Sequence, residues 1–436
     1  MRPMLTYATI KRMIEIDADL EVPGSKSYTN RALIIAALAD GKSILQNCLI
    51  SEDIVLLVNA LRKVGIDIVI QDTTLCVSGV NAKIGPAQGP LYLGNSGTGL
   101  RFMTGFVSLG HGSYIIDGNA RMHERPIDDL LRSLKTLGVD YQYHNNEGYP
   151  PFTLTANGIN GGKAQIDAKQ SSQYLSSILM IAPFAKEDLE ISVQSDLVSA
   201  PYVNMTLRIM KDFGVTVQQE AKMHYRVKTP QQYQAQTYSI EADASSASYF
   251  LAAAAITQGR VCIRNLQPES IQGDLQFVKI LEKMGCVINL QQSGIEIIGK
   301  PLVGIDINMR NMPDMVPTLC VCALFAHGET IIRDIAHLKI KETDRLNNLA
   351  IELRKFGATI HTTESSIVIK PSNLNKDNIL IETYQDHRMA MSFAIAGLMH
   401  PNLTIINPTC VEKSFPTYWD TLEKLGVQVN FSSQPS

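Results

Sequence analysis

The chain lacks a cysteine spacing that fits a disulfide framework or a zinc site. Its 436 residues contain seven cysteines, with no HExxH motif and no paired CxxC motif. Most of the seven lie within apolar runs, where a free thiol behaves as a small hydrophobic side chain. Neither a disulfide framework nor a metal site is therefore expected. The cysteines are Cys48, Cys76, Cys262, Cys286, Cys320, Cys322 and Cys410.

The chain also lacks an excess of charge of one sign and any long apolar run. Its net charge is −3, so its surface as a whole is not expected to bind nucleic acid or an anionic membrane. No stretch has the uninterrupted apolar length of a membrane helix, and the first residues show no apolar signal-peptide core. We expect a cytoplasmic protein and, as the simplest case, a monomer.

What the chain has in abundance is internal repetition. A segment of about 70 residues recurs, and each copy closes with an apolar helix-like run that ends in hydrophobic-Gly-hydrophobic. The chain is too long for a single core, and the copies divide naturally into two sets of three. The six closing glycines are Gly65, Gly138, Gly214, Gly285, Gly357 and Gly426.

Each copy has the pattern of a β-α-β-α-β-β unit. In the first copy, ALIIAALAD predicts a buried helix that ends at Gly41, and SILQNC predicts a strand. SEDIVLLVNALRKVG predicts a second helix with Ser51 as its N-cap, and IDIVI and TLCVSGV predict two further strands. The predicted fold class is therefore α/β (α+β), with two domains of three repeated units each.

The sixth copy ends early, so its last strand must come from elsewhere. The N-terminal segment IKRMIEIDADLEV is the obvious donor, which places residues 1–22 and 242–436 in one domain and residues 23–241 in the other. The chain then passes between the domains twice, a geometry suited to closure over a ligand. Helix N-termini favour anions, and we expect those of the six copies to face the space between the domains.

The copies differ most at their starts, which are polar. Residues 24–27 (GSKS) precede a helix but lack the second glycine of a Walker A loop, and a serine cap beside an exposed lysine explains them equally well. Residues 94–99 (GNSGTG) form a glycine-rich turn that lets a ligand approach the backbone, although such turns are common. Residues 170–174 (QSSQY) place two hydroxyls at a helix start, which suits a phosphate monoester, while a capped helix is the commoner explanation.

Two further motifs are dense in charge. Residues 121–126 (RMHERP) hold three basic side chains before a proline. Residues 339–345 (KIKETDR) form the densest charge cluster, in which Lys341 and Arg345 are four apart and are expected on one helix face. A solvated surface is the usual explanation of such runs.

The positions of the cations argue against that usual explanation, because all of them lie at the starts of copies or in loops expected to face the space between the domains. A protein of net charge −3 that gathers its cations in this way is expected to bind a small, multiply anionic ligand. Asp314 and Glu342 are the carboxylates available for proton transfer. The cations are Lys26, Arg31, Arg101, Arg125, Lys341, Arg345, Arg388 and Lys413.

These motifs, in this order, resemble the 5-enolpyruvylshikimate-3-phosphate (EPSP) synthase family, the 3-phosphoshikimate 1-carboxyvinyltransferases, over nearly the whole chain. The matching runs are PGSKSYTNRALIIAAL, LGNSGTGLR, RMHERPIDDL, SSQYLSSILMIAP, DLVSAPY, DASSASYFLAAAAI, KETDRL, DHRMAM and KSFP. The resemblance implies two inside-out α/β barrel domains with the active site in the cleft between them.

The resemblance also implies a reaction of the shikimate pathway, which leads to chorismate and the aromatic amino acids. The enolpyruvyl group of phosphoenolpyruvate is transferred to the 5-hydroxyl of shikimate 3-phosphate, and phosphate is released. The reaction is an addition–elimination that needs no metal and no organic cofactor.

The resemblance further implies roles for individual residues. Asp314 is the expected base toward the 5-hydroxyl, and Glu342 is the expected acid toward the methylene carbon, for which it must first be protonated. The expected catalytic residues are Lys26, Asp314, Lys341, Glu342 and Lys413. Shikimate 3-phosphate is expected to contact Lys26, Ser27, Arg31, Ser171, Ser172, Gln173, Ser199, Tyr202, Asp314, His337 and Lys341. Phosphoenolpyruvate is expected to contact Lys26, Asn95, Gly97, Arg125, Gln173, Arg345, Arg388 and Lys413.

Some positions depart from the common family pattern. Gly99 and Phe102 stand where Ala and Pro are usual, which loosens the helix start and removes a φ constraint. Because this helix is expected to border the phosphoenolpyruvate pocket, the response to the herbicide glyphosate, which targets the family, is left open. His337 stands where Asn is frequent, and Ala200 stands where Lys is frequent.

Two alternatives compete with this interpretation. The sister family that transfers enolpyruvyl to UDP-N-acetylglucosamine usually carries a cysteine in the loop equivalent to residues 117–126, where this chain has none. A non-catalytic repeat protein that binds polyanions would spread basic residues along a surface, and it leaves Asp314 and Glu342 unexplained.

Overall fold

The computed structural model describes residues 7–13, 15–372, 377–401 and 403–434. The chain divides into two compact units, one of Gly24–Ile240 and one of Met1–Pro23 with Glu241–Ser436. We call the first the central unit and the second, which holds both chain ends, the terminal unit. Each unit has its own helices and sheets and is described by itself.

The helices of the central unit alternate between buried and partly exposed along the chain. They are α1 (Lys26–Leu38), α2 (Glu52–Lys63), α3 (Gly97–Val107), α4 (Asp128–Thr136), α5 (Ser172–Ile181) and α6 (Ala200–Asp212). The helices of the terminal unit are α7 (Ala244–Thr257), α8 (Phe277–Lys283), α9 (Val316–Leu324), α10 (Arg345–Arg354), α11 (His387–Ala396) and α12 (Tyr418–Lys424). Short 3₁₀ helices span Met122–Glu124, Ala182–Phe184, Gly273–Gln276, Pro313–Met315, Ala336–Ile340 and Pro408–Lys413.

The strands form four-stranded sheets, three in each unit among the described residues. The strands up to β12 are β1 (Tyr7–Ile10), β2 (Asp17–Leu20), β3 (Asp40–Gln46), β4 (Asp67–Gln71), β5 (Thr74–Val80), β6 (Leu91–Tyr92), β7 (His111–Asp117), β8 (Asp140–Tyr143), β9 (Phe152–Asn157), β10 (Gly162–Ile166), β11 (Leu189–Val193) and β12 (Gln218–Ala221). The later strands are β13 (His224–Val227), β14 (Thr237–Ser239), β15 (Arg260–Ile263), β16 (Val287–Gln291), β17 (Gly294–Ile298), β18 (Asp306–Asn308), β19 (Thr330–Arg333), β20 (Thr359–Thr362), β21 (Ile367–Lys370), β22 (Ile379–Ile381), β23 (Leu403–Ile406) and β24 (Val429–Ser432).

All six sheets share one topology. The central unit has the orders β14-β3-β5-β4, β6-β7-β9-β8 and β10-β11-β13-β12, and the terminal unit has β2-β15-β17-β16, β18-β19-β21-β20 and β22-β23-β1-β24. In each sheet the first two strands named here are parallel and the remaining neighbours are antiparallel. The repetition predicted from the sequence is therefore a repetition of one supersecondary unit.

The N-terminal segment belongs to two sheets of the terminal unit. Strand β1 lies between β23 and β24, with Ala8 opposite Ile405 and Phe431. Strand β2 runs parallel to β15, with Leu20 opposite Ile263. The sheet of the sixth copy thus takes its inner strand from the other end of the chain.

The closing glycines share a backbone conformation that explains the sequence signature. Their φ angles run from +87° to +114°, the left-handed region in which a helix commonly ends and in which glycine pays no Cβ penalty. Two local predictions for the first copy need correction. Gly41 lies inside β3, and α1 already ends at Leu38. Ser51 does precede α2, but its side chain makes no capping hydrogen bond.

The first helix of each copy is the most buried. Every residue of α7 and α9 is buried, as are all residues of α1 after Ser27. Helices that are apolar all around belong to a core, whereas α2 and α4 keep charged residues on an exposed face. The N-termini of these core helices carry the polar motifs, so the fold presents those motifs at the ends of buried elements. The predicted α/β class is confirmed.

Candidate active site

In the central unit, the predicted residues lie at the N-termini of α1, α3, α5 and α6 and in the loop before α4. The group comprises Lys26, Ser27, Arg31, Asn95, Gly97, Arg125, Ser171, Ser172, Gln173, Ser199 and Tyr202. We call it the central cluster. Direct contacts connect these elements, because side chains of α1 reach α3 and α6 and side chains of α3 reach α5.

Arg31 is a buried cation without a carboxylate partner among the described residues. It is 1% exposed. Its Nε donates to Thr206 Oγ1 at 2.7 Å and its Nη1 donates to the Ser27 carbonyl at 3.0 Å, while its buried Nη2 has no hydrogen-bond partner in the described part of the chain. Burial lowers the pKa of the guanidinium to about 10, so it stays protonated at neutral pH. An unsatisfied buried donor on a cation is costly, and an anionic ligand would remove the cost.

The start of α5 offers hydroxyls and a fixed amide. Ser171 and Ser172 are both buried, and Ser171 Oγ accepts a hydrogen bond from the Gln173 N–H at 3.3 Å. The side-chain amide of Gln173 is held at both ends, because Oε1 accepts from Arg101 Nη1 at 2.6 Å and Nε2 donates to Thr98 Oγ1 at 2.8 Å. Free N–H groups and hydroxyls at a helix start suit an anion.

The glycine-rich turn before α3 packs directly against a cation. Arg125 is 4% exposed, and its Nη1 donates to the backbone and side-chain oxygens of Asn95 at 2.9 and 3.0 Å. A Cβ added at Gly97 would overlap the Arg125 guanidinium. A side chain at this position would therefore have to displace the guanidinium from its hydrogen bonds to Asn95.

The remaining members of the central cluster are Lys26, Ser199 and Tyr202. Lys26 Nζ forms an ion pair of 3.2 Å with Asp53, whose side chain is buried. Ser199 precedes α6 with a φ of +55°, in the left-handed region. The ring centroid of Tyr202 lies 5.8 Å from the Arg31 guanidinium carbon.

In the terminal unit, the predicted residues gather around one arginine. Arg345, at the first position of α10, is fully buried and donates to three carboxylates. The distances are 2.7 Å to Asp386, 2.8 Å to Asp314 and 2.7 Å to Glu342. Burial alone would lower the pKa of Arg345, but the three carboxylates raise it above its ordinary value.

A second arginine shares one of these carboxylates. Arg388, at the second position of α11, donates to the other oxygen of Asp314 at 2.8 Å and to the Tyr249 hydroxyl at 3.1 Å. Asp386 caps α11 by accepting from the Arg388 N–H at 2.9 Å. Burial alone would raise the pKa of Asp314, but the charges of Arg388 and Arg345 outweigh it and hold this pKa well below its usual range. Asp314 is therefore a carboxylate at neutral pH.

His337 lies close to this group, which we call the terminal cluster. The imidazole is buried and its Nε2 has no hydrogen-bond partner in the described residues. Burial, with the nearby charge of Lys341, lowers the pKa of His337 to about 3, so the ring is neutral at physiological pH. The members of the terminal cluster are Asp314, His337, Lys341, Glu342, Arg345, Asp386 and Arg388. The predicted Lys413 is buried at the end of the 3₁₀ helix Pro408–Lys413.

One predicted arrangement within this group is wrong. Lys341 and Arg345 do not share a helix face, because Lys341 lies before α10 in an extended conformation. Asp344 caps α10 by accepting from the Asn347 N–H at 3.1 Å, so the helix begins only at Arg345. A capping aspartate within the charged run was the sequence signal for this boundary.

Sequence reasoning missed several residues that hold the site residues in place. Asp53, in the first turn of α2, is 3% exposed and pairs with Lys26. Thr206 and Asp386 had no role assigned, although each binds an arginine of the site. The Asp-His-Arg run before α11 carried the signal for Asp386, whereas nothing in the local sequence indicates Thr206.

Within the described ranges, no three His, Cys, Asp or Glu side chains are grouped in a way that would hold a metal ion. A search of the same residues finds no helix that is long and apolar enough to cross a membrane. All seven cysteines are free thiols.

Comparison with known proteins identifies the family. The sequence model of EPSP synthase (3-phosphoshikimate 1-carboxyvinyltransferase) matches residues 10–422. The 3-phosphoshikimate 1-carboxyvinyltransferase of Trichormus variabilis is 43% identical over 413 residues, covering 94% of this chain and 96% of that protein. The enzyme of the same name from Mannheimia haemolytica is 44% identical over 433 residues, covering 97% and 99%.

A solved structure extends the likeness to the fold. The structure of EPSP synthase from Acinetobacter baumannii has a TM-score of 0.80 at 25% identity and covers 98% of this chain and 100% of that one. The resemblance seen in the sequence motifs is thereby confirmed: the chain belongs to the EPSP synthase (3-phosphoshikimate 1-carboxyvinyltransferase) family of transferases.

Proposed function

We propose that the protein transfers the enolpyruvyl group of phosphoenolpyruvate to the 5-hydroxyl of shikimate 3-phosphate and releases phosphate. The observation that carries the proposal is the buried guanidinium of Arg31, whose Nη2 has no partner among the described residues. Such a group is expected where a ligand carboxylate binds. Membership of the family supports the same reaction.

The central cluster has the groups that shikimate 3-phosphate requires. Ser171, Ser172 and Ser199 would hold the phosphate through hydroxyls and helix N–H groups. Arg31 and Ser27 would hold the carboxylate. Further contacts to this substrate would come from Lys26, Gln173, Tyr202, Asp314, His337 and Lys341.

Phosphoenolpyruvate would be bound by cationic side chains. These cations are Lys26, Arg125, Arg345, Arg388 and Lys413, with Asn95, Gly97 and Gln173 shaping the pocket. A phosphoenolpyruvate anion on Arg345 and Arg388 would compete with Asp314 and Glu342 for the same guanidinium groups. Substrate binding would therefore weaken the ion pairs that restrain both carboxylates.

The chemistry then needs one base and one acid. Asp314, with Lys341 beside it, would accept the proton of the 5-hydroxyl as its oxygen bonds to C2 of phosphoenolpyruvate. Glu342, once protonated and helped by Lys26, would donate a proton to C3. Glu342, left as a carboxylate, would take back a proton from C3 as the C2–O bond to phosphate breaks, and Lys413 would stabilise the charge that develops. The low pKa of Asp314 makes it a weak base, so its release from Arg388 is a required part of this mechanism.

The test is phosphate release by the purified protein with both substrates and a chelator present. Release that requires shikimate 3-phosphate and phosphoenolpyruvate together is the expected result. No release with this pair, but release when UDP-N-acetylglucosamine replaces shikimate 3-phosphate, would assign the protein to the sister reaction. No phosphate release with either acceptor would contradict both enolpyruvyl transfer reactions.

We also propose that the protein acts as a monomer in the cytoplasm. A single chain is the simplest assembly, and seven free thiols suit a reducing compartment. Sedimentation equilibrium with and without both substrates should give the mass of one chain, 48.0 kDa. A dimer mass under assay conditions would contradict the proposal of a monomer. Recovery of the native protein in the membrane or extracellular fraction would contradict the proposal of a cytoplasmic location.

A further inference from the structure

Phe102 lies beneath the arginine of the central cluster. It is on α3, is 1% exposed, and its ring centroid is 5.1 Å from the guanidinium carbon of Arg31. The sequence analysis expected the helix that carries this residue to border the phosphoenolpyruvate pocket. The contact with Arg31 connects it to the shikimate 3-phosphate side.

The surroundings of Arg31 fix its position without neutralising its charge. Thr206 Oγ1 accepts from Nε and the Ser27 carbonyl accepts from Nη1. Thr206 is itself held, since its hydroxyl lies 2.9 Å from Ser176 Oγ and 3.0 Å from the Tyr202 carbonyl. The rings of Phe102 and Tyr202 complete the environment.

An aromatic ring holds a buried guanidinium in a different way from a carboxylate. A ring face attracts a guanidinium through its quadrupole, and the attraction grows when both are shielded from water. The ring does not occupy the in-plane N–H donors, and it leaves the net charge available to an anion. A carboxylate in the same place would stabilise the cation but would compete with the ligand.

We propose that Phe102 is a positioning residue for acceptor binding: its ring holds the Arg31 guanidinium so that Nη2 meets the carboxylate of shikimate 3-phosphate. This inference rests on the proposed function. It assigns the effect of Phe102 to binding of the acceptor, shikimate 3-phosphate, and it leaves phosphoenolpyruvate binding to other residues.

The test compares Phe102→Met with Phe106→Met. Phe106 is also buried and lies one turn further along α3, so the pair separates loss of the ring from general loss of packing. Phe102→Met should raise KM for shikimate 3-phosphate about 5- to 30-fold, the range expected for loss of a buried cation–π contact. Its kcat and its KM for phosphoenolpyruvate should stay near wild type. Phe106→Met should leave both KM values unchanged.

A double-substitution cycle shows whether Phe102 acts through Arg31. Calorimetric titration of shikimate 3-phosphate is made on wild type, Phe102→Met, Arg31→Met and the double variant. If the effect passes through the guanidinium, Phe102→Met should change the affinity less than about twofold once Arg31 is replaced. Phe102→Leu is a second single variant, and thermal unfolding shows that each variant tested is folded.

The outcomes separate the two proposals. If wild type turns over shikimate 3-phosphate but Phe102→Met behaves like Phe106→Met, the positioning role is wrong and the function stands. The positioning role is also wrong if KM for phosphoenolpyruvate rises instead, or if the two substitutions are additive. If wild type neither binds nor turns over shikimate 3-phosphate, the proposed function is wrong and the inference with it.

Discussion

The buried arginines of the two units have opposite kinds of partner. In the central unit, Arg31 and Arg101 contact neutral oxygens and aromatic rings, with no carboxylate partner among the described residues. In the terminal unit, Arg345 and Arg388 contact carboxylates. The arginines of the central unit keep a positive charge that a ligand can neutralise. The charges of Arg345 and Arg388 are already neutralised by carboxylates of the protein.

This difference predicts that some buried arginines contribute mainly to ligand binding and others mainly to the stability of the fold. A buried ion pair contributes little by its presence, but removing one partner leaves an uncompensated buried charge. Replacing Arg345 should therefore lower the stability of the fold, whereas replacing Arg31 should chiefly weaken ligand binding. The predictions below test this separation, beginning with the largest expected effect.

Glu342→Gln should lower kcat for phosphate release by about 100- to 10,000-fold, the range for loss of a general acid. The amide keeps the shape of the side chain but cannot supply the proton. Glu364→Gln is the matched control, because Glu364 is an exposed glutamate of the same unit. Near-normal turnover of a folded Glu342→Gln protein would remove Glu342 from the mechanism.

Arg345→Met should lower the free energy of unfolding by about 3–5 kcal/mol, since it leaves the buried Asp386 and the partly buried Asp314 and Glu342 without their shared cation. The measurement is urea unfolding at neutral pH. Arg333→Met is the control, because Arg333 pairs with Asp306 at 2.7 Å on the surface, where such pairs contribute less than about 1 kcal/mol. Equal losses in the two variants would contradict the difference between buried and exposed pairing.

Asp314→Asn should show a pH-dependent loss of stability. The folded pKa of Asp314 lies below its usual value, so the ionised carboxylate stabilises the fold above about pH 4 and this contribution is lost as the pH falls. The gap in unfolding free energy between wild type and variant should thus be widest near neutral pH and shrink below about pH 4. Asp306→Asn, at the exposed ion pair, should give a small gap throughout. A constant gap for Asp314→Asn would show that the carboxylate is not held ionised by the arginines.

His337→Asn should have the smallest effect at neutral pH, because its effect on stability appears only in acid. Burial, together with Lys341, lowers the folded pKa of His337 to about 3. The unfolded state therefore binds a proton first, and wild type loses stability as the pH falls from about 6.5 towards 3. Relative to wild type, the variant should gain up to about 1.4 kcal/mol per pH unit in that window. His361→Asn, at an exposed histidine, should gain nothing, and a flat difference for His337→Asn would contradict the neutral assignment.

Much of the fold could be predicted because repetition makes weak local signals reinforce one another. Each closing glycine alone is an ordinary helix end, but six with the same φ region mark one repeated unit. Predictions of local structure were wrong where tertiary contacts determine the conformation. Gly41 is a strand residue because β3 pairs with β5 from Asp40 to Leu45. Lys341 lies outside α10 because Asp344 caps that helix.

The candidate site was predictable in its residue types and less so in its contacts. The cations at the starts of the copies stand out in a chain of net charge −3. Their partners do not, because Thr206 and Asp386 are distant in sequence from Arg31 and Arg345. The contact between Phe102 and Arg31 joins two helices of different copies, and no local pattern encodes it.

The most direct test of this account is calorimetric titration of shikimate 3-phosphate into wild type and Arg31→Met, with urea unfolding of both proteins. Loss of a charge-assisted hydrogen bond should weaken binding about 10- to 100-fold. The free energy of unfolding should stay within about 1 kcal/mol of wild type, since no carboxylate loses its partner. Arg208→Met, at an exposed arginine of α6, should match wild type in both. Unchanged affinity in Arg31→Met, or a loss of stability as large as that of Arg345→Met, would contradict the account.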